Sequence, residues 1–464
     1  MVSPGGSARG ASVPDGGISG GEERVLSLDR LLLLLVVFNA ADVWTSLLDH
    51  FVGEGIATLP VTALWLMLYL WAVTGLLFAD GLRWVAWLLR YRLVLLVLLG
   101  GVFASLLWSI DPSLTLRRSI HLIGTTLLAF YLGYRIPYRA LLRVLAGGLS
   151  LLLLLSVLAA LLLPELGQQM YEGQLVWKGL FTDKNSLGFS AAIAVLVLVV
   201  LMAEARSIQQ VGLYGVAIGV ALVALLGSHS ATSLVAMVGG VGAMALFLAL
   251  KRMGVGGFAA AVLMLLSVSI VALLMAGIDL SSLFSLLGRS SDLTGREEIW
   301  ESVKALLAQR PWTGTGYGTI WYPTADSQWQ QDLLNLTWLA HHAHNGFYQV
   351  SSQLGIPLAV LAAFFFLQMI VEVAAIYFRA PVSKLPLFAI GFQLAYLVSN
   401  NTEAYYLVDR SLFWILQVAV PVALLRWAEY LDQSPAPVMQ ESSRTTDPTT
   451  RAFPFQTAGP AAGG

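Results

Sequence analysis

The sequence predicts an all-α, polytopic membrane protein, a bundle of about twelve transmembrane helices with one large outer loop. Hydrophobic residues make up 57% of the 464 residues and charged residues only 11%, which is too apolar for a water-soluble chain of this length. About twelve apolar segments are long enough to cross a bilayer, which takes roughly 17–25 residues. No such segment occurs between residues 279 and 345, and this gap predicts the loop.

The composition also excludes several classes of function. A net charge of -1 provides no basic excess for binding nucleic acid. The chain has no cysteine, which excludes disulfides, thiolate metal sites and cysteine nucleophiles. His341 and His344 are the one pair at metal-ligand spacing, and no carboxylate stands beside them in the sequence. We therefore expect no metal and no cofactor.

The chain divides into five predicted regions. Residues 1–26 and 429–464 are rich in small and polar residues without apolar periodicity, so we expect two disordered cytoplasmic tails. Residues 27–278 hold helices one to nine, residues 279–345 form the outer loop, and residues 346–428 hold helices ten to twelve. The expected spans are 28–48, 59–79, 93–109, 119–136, 145–163, 187–204, 211–228, 230–250, 257–277, 354–378, 385–402 and 411–427.

Basic residues in the short loops predict the orientation, because Lys and Arg are retained on the cytoplasmic side. With both tails inside, the inner loops carry scattered basic residues from Arg83 to Lys384. The clusters of mixed polar residues then all fall on the outer side. Long ordered loops usually carry binding or catalytic residues, so we expect the site in the loop 279–345.

Lys184 stands immediately before the sixth span, in the segment Gly179-Leu180-Phe181-Thr182-Asp183-Lys184-Asn185-Ser186. Asp183 and its neighbours are typical helix caps, which would leave Lys184 solvated. A cation is disfavoured at the positive end of a helix, however, and an anion is favoured there. The alternative is therefore that Lys184 and the first helical amides bind an anion together.

Arg289 and Arg296 are seven residues apart in the outer loop, which would place them on one face of a helix. Surface ion pairs with nearby Asp and Glu are one interpretation. Phosphate binding is the other, because guanidinium groups are natural bidentate partners of phosphate. The sequence around Arg296 is typical of a helix start with the arginine in its first turn.

His344 ends the loop, just before the tenth span, in a cluster with His341 and His342. A histidine at a membrane interface is often a hydrogen-bonded structural residue. Histidine also exchanges a proton near neutral pH, so His344 is a candidate general base for a hydroxyl nucleophile. Four residues of the predicted outer loops are expected to support the site: Arg117, Asn185, Asn345 and Glu403.

The segment Gly314-Thr315-Gly316-Tyr317-Gly318 superficially suggests a phosphate-binding loop. No strand precedes it and no βαβ pattern surrounds it, so the nucleotide interpretation fails. We expect a flexible turn.

Six motifs follow one another along the chain: Trp-Ser-Ile-Asp-Pro-Ser-Leu-Thr-Leu-Arg-Arg (108–118), Trp-Lys-Gly-Leu-Phe-Thr-Asp-Lys-Asn-Ser-Leu-Gly (177–188), Ser-His-Ser-Ala-Thr-Ser-Leu (228–234), Leu-Thr-Gly-Arg (293–296) with Ile299-Trp300, Arg-Pro-Trp-Thr-Gly-Thr-Gly-Tyr-Gly (310–318) and Ala-His-Asn-Gly-Phe (343–347). Their order and spacing resemble the O-antigen ligase and polymerase superfamily, and most closely its exopolysaccharide polymerase branch. The resemblance covers most of the chain from about residue 90 to 427. One departure is Ser-His-Ser at 228–230, where a basic or small residue is expected in place of His229.

The resemblance implies an inner-membrane glycosyltransferase that moves a glycan from undecaprenyl diphosphate to an acceptor hydroxyl on the periplasmic side. It implies that Lys184 and Arg296 contact the donor diphosphate and that His344 is the catalytic histidine. The implied partners are the lipid-linked donor, a glycan or lipid-glycan acceptor, the bilayer and other polysaccharide-assembly proteins. Ligase and polymerase differ in the acceptor, which the sequence does not identify.

A polytopic transporter of a polysaccharide or lipid-linked substrate is the alternative from another class. The helix count and the polar residues Asn400 and Asn401 within the eleventh span suggest it. Transporters of this size are often built from inverted repeats with broken helices. The two halves of this sequence show no such repeat.

A cysteine at Ser327 tests the predicted orientation, and the absence of native cysteine makes the label specific. We expect Ser327→Cys to react with a membrane-impermeant maleimide in cells whose inner membrane is intact. A reaction that required permeabilisation of the inner membrane would show that the loop faces the cytoplasm.

Overall fold

The computed structural model describes residues 20–53, 55–171, 173–254, 294–321, 328–336, 340–379 and 383–433, and these are mostly helical. The predicted ninth span, Arg289, Ser327 and most of both predicted tails lie outside them. The elements in chain order are α1 (Gly20–Ala40), α2 (Val43–Phe51), α3 (Thr58–Asp80), α4 (Arg83–Tyr91), α5 (Leu93–Ala104), a 3-10 turn (Ser105–Leu107), α6 (Pro112–Arg135), α7 (Tyr138–Leu162), α8 (Pro164–Gly167), β1 (Gln168–Tyr171), β2 (Gln174–Trp177), α9 (Lys184–Ala203), α10 (Ile208–Gly227), α11 (Ala231–Arg252), α12 (Thr294–Gln309), α13 (Gln328–Leu334), α14 (Gly346–Arg379), α15 (Pro386–Asn400) and α16 (Leu412–Gln433).

The all-α membrane fold is confirmed. Every predicted span except the ninth overlaps a described helix or helix pair. By length and apolarity, seven of the described helices qualify as membrane spans, or nine when each of two bent pairs is one span. The total of twelve stays a prediction. The antiparallel hairpin β1–β2 pairs Gln168 with Trp177 and is the one sheet in the part of the chain that the structure describes.

Three helix breaks shape the bundle. The pair α1 and α2 bends by 57° at Asp42, the polar residue that interrupts the first predicted span. The pair α4 and α5 bends by 95° at Arg92, whose buried guanidinium donates to both carboxylate oxygens of Glu372 at 2.7 and 2.8 Å. Helix α14 is broken at Gly355, which has a φ of 81°. Breaks in a membrane bundle persist where other groups satisfy the freed backbone or where they border a cavity.

The predicted flexible turn at residues 314–318 is wrong, because the segment is buried and fixed. The break at Gly355 frees carbonyl groups of α14, and the backbone amides of Thr315 and Gly316 donate to the carbonyls of Ser352 and Gln353 at 3.0 and 2.9 Å. A Cβ at Gly316 would lie 2.4 Å from the hydroxyl of Ser109, so only glycine fits there. The glycines thus permit close packing across a broken helix.

Asn400, at the end of α15, anchors the segment 401–411 that leads into the candidate site. Its side-chain oxygen accepts hydrogen bonds from the backbone amides of Tyr405 and Tyr406 at 2.9 and 3.1 Å. The Tyr406 hydroxyl donates to the carbonyl of Ala362, and the Tyr317 hydroxyl donates to that of Leu407, both at 2.7 Å. Asn400 therefore has a structural role in the bundle.

Gly346→Ala tests this anchor. A Cβ on Gly346 would lie 1.9 Å from the side-chain nitrogen of Asn400, so alanine must displace the amide that holds residues 405 and 406. Overpacking typically costs about 1–3 kcal/mol, and we expect a lower Tm in detergent. The control is Gly100→Ala in α5, where no atom lies within 4 Å of the added carbon. An equal Tm for the two variants would contradict the anchoring role.

Candidate functional site

A cavity of about 530 Å³ brings the polar outer segments together. Residues 181–186 line it at the start of α9, residues 341, 342 and 344 line it before α14, and residues 403–405 and 408–413 line it between α15 and α16. Asp42 at the first helix break and Arg118 on α6 complete the charged wall. Segments far apart in the sequence therefore face one space.

Glu403 lies where these segments meet, and its side chain is only 7% exposed. Its Oε1 accepts a hydrogen bond from the Asn185 side chain at 2.8 Å and a longer one from Arg296 at 3.4 Å. Asn185 is held in turn by the Ser230 hydroxyl, which donates to the Asn185 side-chain oxygen at 3.0 Å. The carboxylate thereby joins α9 to α12, and Asn185 extends this network to the residue that caps α11.

Two histidines face the other carboxylate oxygen of Glu403. Nδ1 of His344 lies 3.6 Å and Nε2 of His342 lies 3.9 Å from Oε2. The two imidazole rings are 3.9 Å apart between centroids. Nδ1 of His342 accepts a hydrogen bond from the backbone amide of His344 at 3.3 Å, which leaves the His342 proton on Nε2, toward Glu403.

The start of α14 positions His344. The Asn345 side chain accepts from the amides of Phe347 and Tyr348 at 2.9 and 3.1 Å and so caps the helix. His344 itself has a φ of 49°, in the left-handed region. Trp300 on α12 donates to the carbonyl of residue 343 at 2.9 Å. The imidazole therefore projects from a fixed turn that ends at a capped helix.

The charge around Glu403 favours its ionised form. Burial alone would raise the pKa of this carboxyl, but the facing His344 and the charges of His342 and Arg296 together hold it below its ordinary value. Glu403 is therefore a carboxylate at neutral pH, and it can orient an imidazole that faces it.

Lys184 lines the cavity but does not share it with free helix amides. Asp183 caps α9: its side chain accepts from the amides of Asn185 and Ser186 at 2.8 and 3.0 Å. The expectation that these amides bind an anion is therefore wrong. Lys184 is not solvated either, because it is 4% exposed and its Nζ lies 3.3 Å from the ring centre of Tyr171 on the hairpin.

The remaining candidate residues differ in whether they reach the cavity. Arg296 lies in the first turn of α12, as expected, and reaches Glu403 without lining the cavity. Arg117 is exposed, and its neighbour Arg118 lines the cavity instead. His341 lines the cavity, whereas His229 lies on an exposed turn outside it.

Four charged lining residues were not predicted from the sequence to belong to the site: Asp42, Arg118, Asp409 and Arg410. Their shared signal was present, because a charged residue within or beside an apolar span is costly and often functional. The sequence does not show that they meet. Arg118 pairs with Asp409 at 3.3 Å across 291 residues of chain.

His342, His344 and Glu403 could also hold a metal, since one ligand atom from each lies within 4.8 Å of the others. No carboxylate stands beside these histidines in the sequence, but the fold brings Glu403 next to them. Two histidines and a carboxylate are typical zinc ligands. Arg296 already contacts the same carboxylate, and its positive charge opposes a divalent cation there. We therefore assign no metal.

Two comparisons with known proteins bear on this arrangement. The profile of a protein family described as O-Antigen ligase matches residues 216–363, which include Arg296 and His344. The exopolysaccharide production protein ExoQ of Rhizobium meliloti (strain 1021) is 27% identical over 298 residues, which cover 60% of this chain and 66% of ExoQ. The aligned region thus spans just under two thirds of ExoQ.

His342 should make the fold less stable in acid. Burial, and next the charge of His344, lower its pKa from 6.5 to about 4 against the opposing charge of Glu403. Between these values the unfolded chain binds a proton that the folded chain does not, so stability falls as the pH falls through this range. His342→Asn, which keeps an acceptor near the Nδ1 position, should lose less Tm than wild type between about pH 7 and about pH 5. Parallel losses would show that His342 does not titrate in this way.

Proposed function

We propose that this chain, whose place in the O-antigen ligase and polymerase superfamily both comparisons support, transfers a glycan from undecaprenyl diphosphate to an acceptor hydroxyl. At the coarser level, it is a membrane enzyme of polysaccharide biosynthesis. The observation that carries the finer proposal is the convergence on buried Glu403 of a histidine and an arginine, His344 and Arg296.

The proposed reaction is a direct displacement at the anomeric carbon of the donor sugar. The acceptor oxygen attacks this carbon, the bond between the carbon and the diphosphate oxygen breaks, and the diphosphate leaves with the electron pair. The acceptor proton passes to a base on the enzyme. One displacement inverts the anomeric configuration. The protein must therefore provide a base, hold the two substrates and stabilise charge on the leaving diphosphate.

His344 is the proposed base. Nδ1 faces the Glu403 carboxylate at 3.6 Å, which favours the tautomer that carries its proton on Nδ1 and leaves Nε2 to accept one. His342 is less suited, because its Nδ1 already accepts the His344 amide and its Nε2 faces the same carboxylate. Glu403 is the proposed positioning residue, which orients His344 and stabilises the imidazolium that forms.

Arg296 and Lys184 are the proposed diphosphate ligands. Arg296 makes one long hydrogen bond among the described residues, so most of its N–H donors remain for phosphate oxygens. Lys184 brings a second positive charge to the cavity wall. Arg289, outside the described residues, is proposed to assist. With these charges supplied by side chains, the proposed transfer needs no divalent metal.

The proposed setting is the bacterial inner membrane, with the cavity facing the periplasm or cell exterior. The basic inner loops support this orientation. The proposed site joins the large outer loop, residues 279–345, to the starts of α9 and α16. Other proteins of polysaccharide assembly are proposed partners because a lipid-linked donor must be delivered to this face.

A transporter is the second candidate, since the bundle contains the broken helices that such proteins use. At two of the three breaks, other groups of the protein bind the residues or carbonyls at the break. Arg92 at one break pairs with Glu372, and amides of residues 315 and 316 occupy carbonyls next to the other at Gly355. These two breaks therefore have a structural role and are not available to bind a transported substrate. This favours an enzyme over a transporter.

Purified protein, lipid-linked glycan extracted from producing cells and an acceptor test the proposal. Wild type should release undecaprenyl diphosphate and extend the acceptor, with no effect of EDTA. Arg296→Ala should reduce transfer by at least about 10²–10³-fold, and Arg296→Lys should recover part of it, because a point charge cannot replace a bidentate fork. The matched control is Arg310→Ala, an exposed arginine just after α12.

Three results would contradict the proposal. Full transfer by Arg296→Ala would remove this residue from the diphosphate site. Strict dependence on an added divalent metal would contradict diphosphate binding by side chains alone. Passage of intact lipid-linked glycan across proteoliposomes without a new glycosidic bond would favour the transporter.

A further inference from the structure

A second charged group lines the cavity and has no part in the proposed chemistry. It consists of Asp42, Arg118, Asp409 and Arg410. Asp42 comes from the break between α1 and α2, Arg118 from α6, and the other two from the segment before α16. Asp409 and Arg410 share this segment with Glu403, so the same stretch of chain faces both groups.

Arg410 is held rigidly with unused hydrogen-bonding capacity. Its backbone amide donates to the Thr125 hydroxyl at 3.0 Å, and its guanidinium contacts the ring of His121, with 2.5 Å to Nε2. Its φ is 60°, in the left-handed region that non-glycine residues rarely adopt. The buried Nε has no hydrogen-bond partner among the described residues. The side chain is therefore fixed and still lacks a full set of acceptors.

Asp42 shows the same combination at the helix break. Its φ is 59°, and although it stands at the cap of α2, its side chain makes no capping hydrogen bond. Arg410, Asp183 and Asp409 are the charged groups that act on it. Residues held in sparsely populated backbone conformations cluster at ligand sites, and here Asp42 and Arg410 join His344, so that three such residues border one cavity.

The charge balance of this group selects a neutral ligand. Two guanidinium groups and two carboxylates sum to zero, and the carboxylates of Asp42 and Asp409 repel a diphosphate. Guanidinium donors beside carboxylate acceptors suit hydroxyl groups, which both donate and accept. This charged group therefore favours a polyhydroxyl compound, whereas Lys184 and Arg296 favour an anion.

We infer that Asp42, Arg118 and Arg410, with the buried Asp409 holding Arg118 in place, form the subsite that binds the sugar of the acceptor and directs its hydroxyl to His344. The inference rests on the proposed function and extends it, because it separates the acceptor residues from the donor residues. Acceptor specificity then depends on the helix break at Asp42 and on the chain between Glu403 and Arg410.

Transfer kinetics at saturating donor test the subsite. The donor is the extracted lipid-linked glycan; the acceptors are the glycan released from it by mild acid and the glycolipid fraction of the same cells. Asp42→Asn and Arg410→Lys should each raise the KM for acceptor about tenfold or more, as expected for loss of a hydrogen bond to a charged group. Donor affinity and inhibition by inorganic pyrophosphate should stay at wild-type values.

The variants are chosen to preserve the fold. Asparagine tolerates the left-handed backbone of residue 42, and lysine keeps the charge that faces His121. Asp432→Asn and Arg310→Lys, at exposed positions away from the cavity, are the matched controls and should keep the acceptor KM. Unchanged donor affinity in each variant reports an intact bundle.

The outcomes separate this inference from the function on which it rests. If wild type transfers glycan and the Asp42 and Arg410 variants keep its acceptor KM, the subsite is wrong and the proposed function stands. If donor affinity or pyrophosphate inhibition falls instead in a variant whose Tm equals that of wild type, these residues bind the donor and the inference is overturned. If wild type transfers to neither acceptor, the proposed function fails and the subsite fails with it.

Discussion

The buried carboxylate of Glu403 is the contact on which the candidate site depends, because an ionised carboxyl inside a protein is stable only when nearby groups replace its lost water. Asn185, Arg296 and the two histidines supply these groups from three separate parts of the chain. Removal of Glu403 would leave these partners facing each other without compensation. The same contacts underlie the proposed chemistry, since they place a guanidinium and an imidazole on one carboxylate beside the cavity.

The membrane bundle supports this arrangement through its breaks and caps. A continuous α14 would offer no free carbonyls to residues 315 and 316. The turn 314–318, which packs against α6, would then lose these backbone hydrogen bonds. Asn345, the residue after His344, caps α14. Asn400 binds the backbone amides just after Glu403 and so holds that segment in place. Polar residues that would be unfavourable in lipid thus fix the two segments that carry His344 and Glu403.

The fold class was predictable because a membrane span depends on the apolarity of consecutive residues, which can be read directly from the sequence. The helix that holds Arg296 in its first turn was predictable for the same local reason. A histidine cluster likewise pointed to the 341–345 segment as part of the candidate site. The sequence at the start of α9 allowed two interpretations, a helix cap or an anion site. The structure shows the cap, because Asp183 accepts hydrogen bonds from the amides that were expected to bind an anion. Glu403 was expected near the site, but its direct contact with His344, and that of Arg118 with Asp409, was not predictable, because long-range pairing follows from packing and leaves no periodic signal.

The central claim is that His344, oriented by Glu403, takes the proton of the acceptor, and one comparison tests it most directly. Donor affinity and transfer rate are measured separately for wild type, His344→Ala and His344→Gln with purified protein and lipid-linked donor. A positioned base contributes about 10²–10⁴-fold, so alanine should reduce the rate by that order without a comparable loss of donor affinity. Glutamine can accept a hydrogen bond but takes up no proton near neutral pH, so it should be almost as slow. Transfer by His344→Gln at close to the wild-type rate would show that His344 only positions the acceptor.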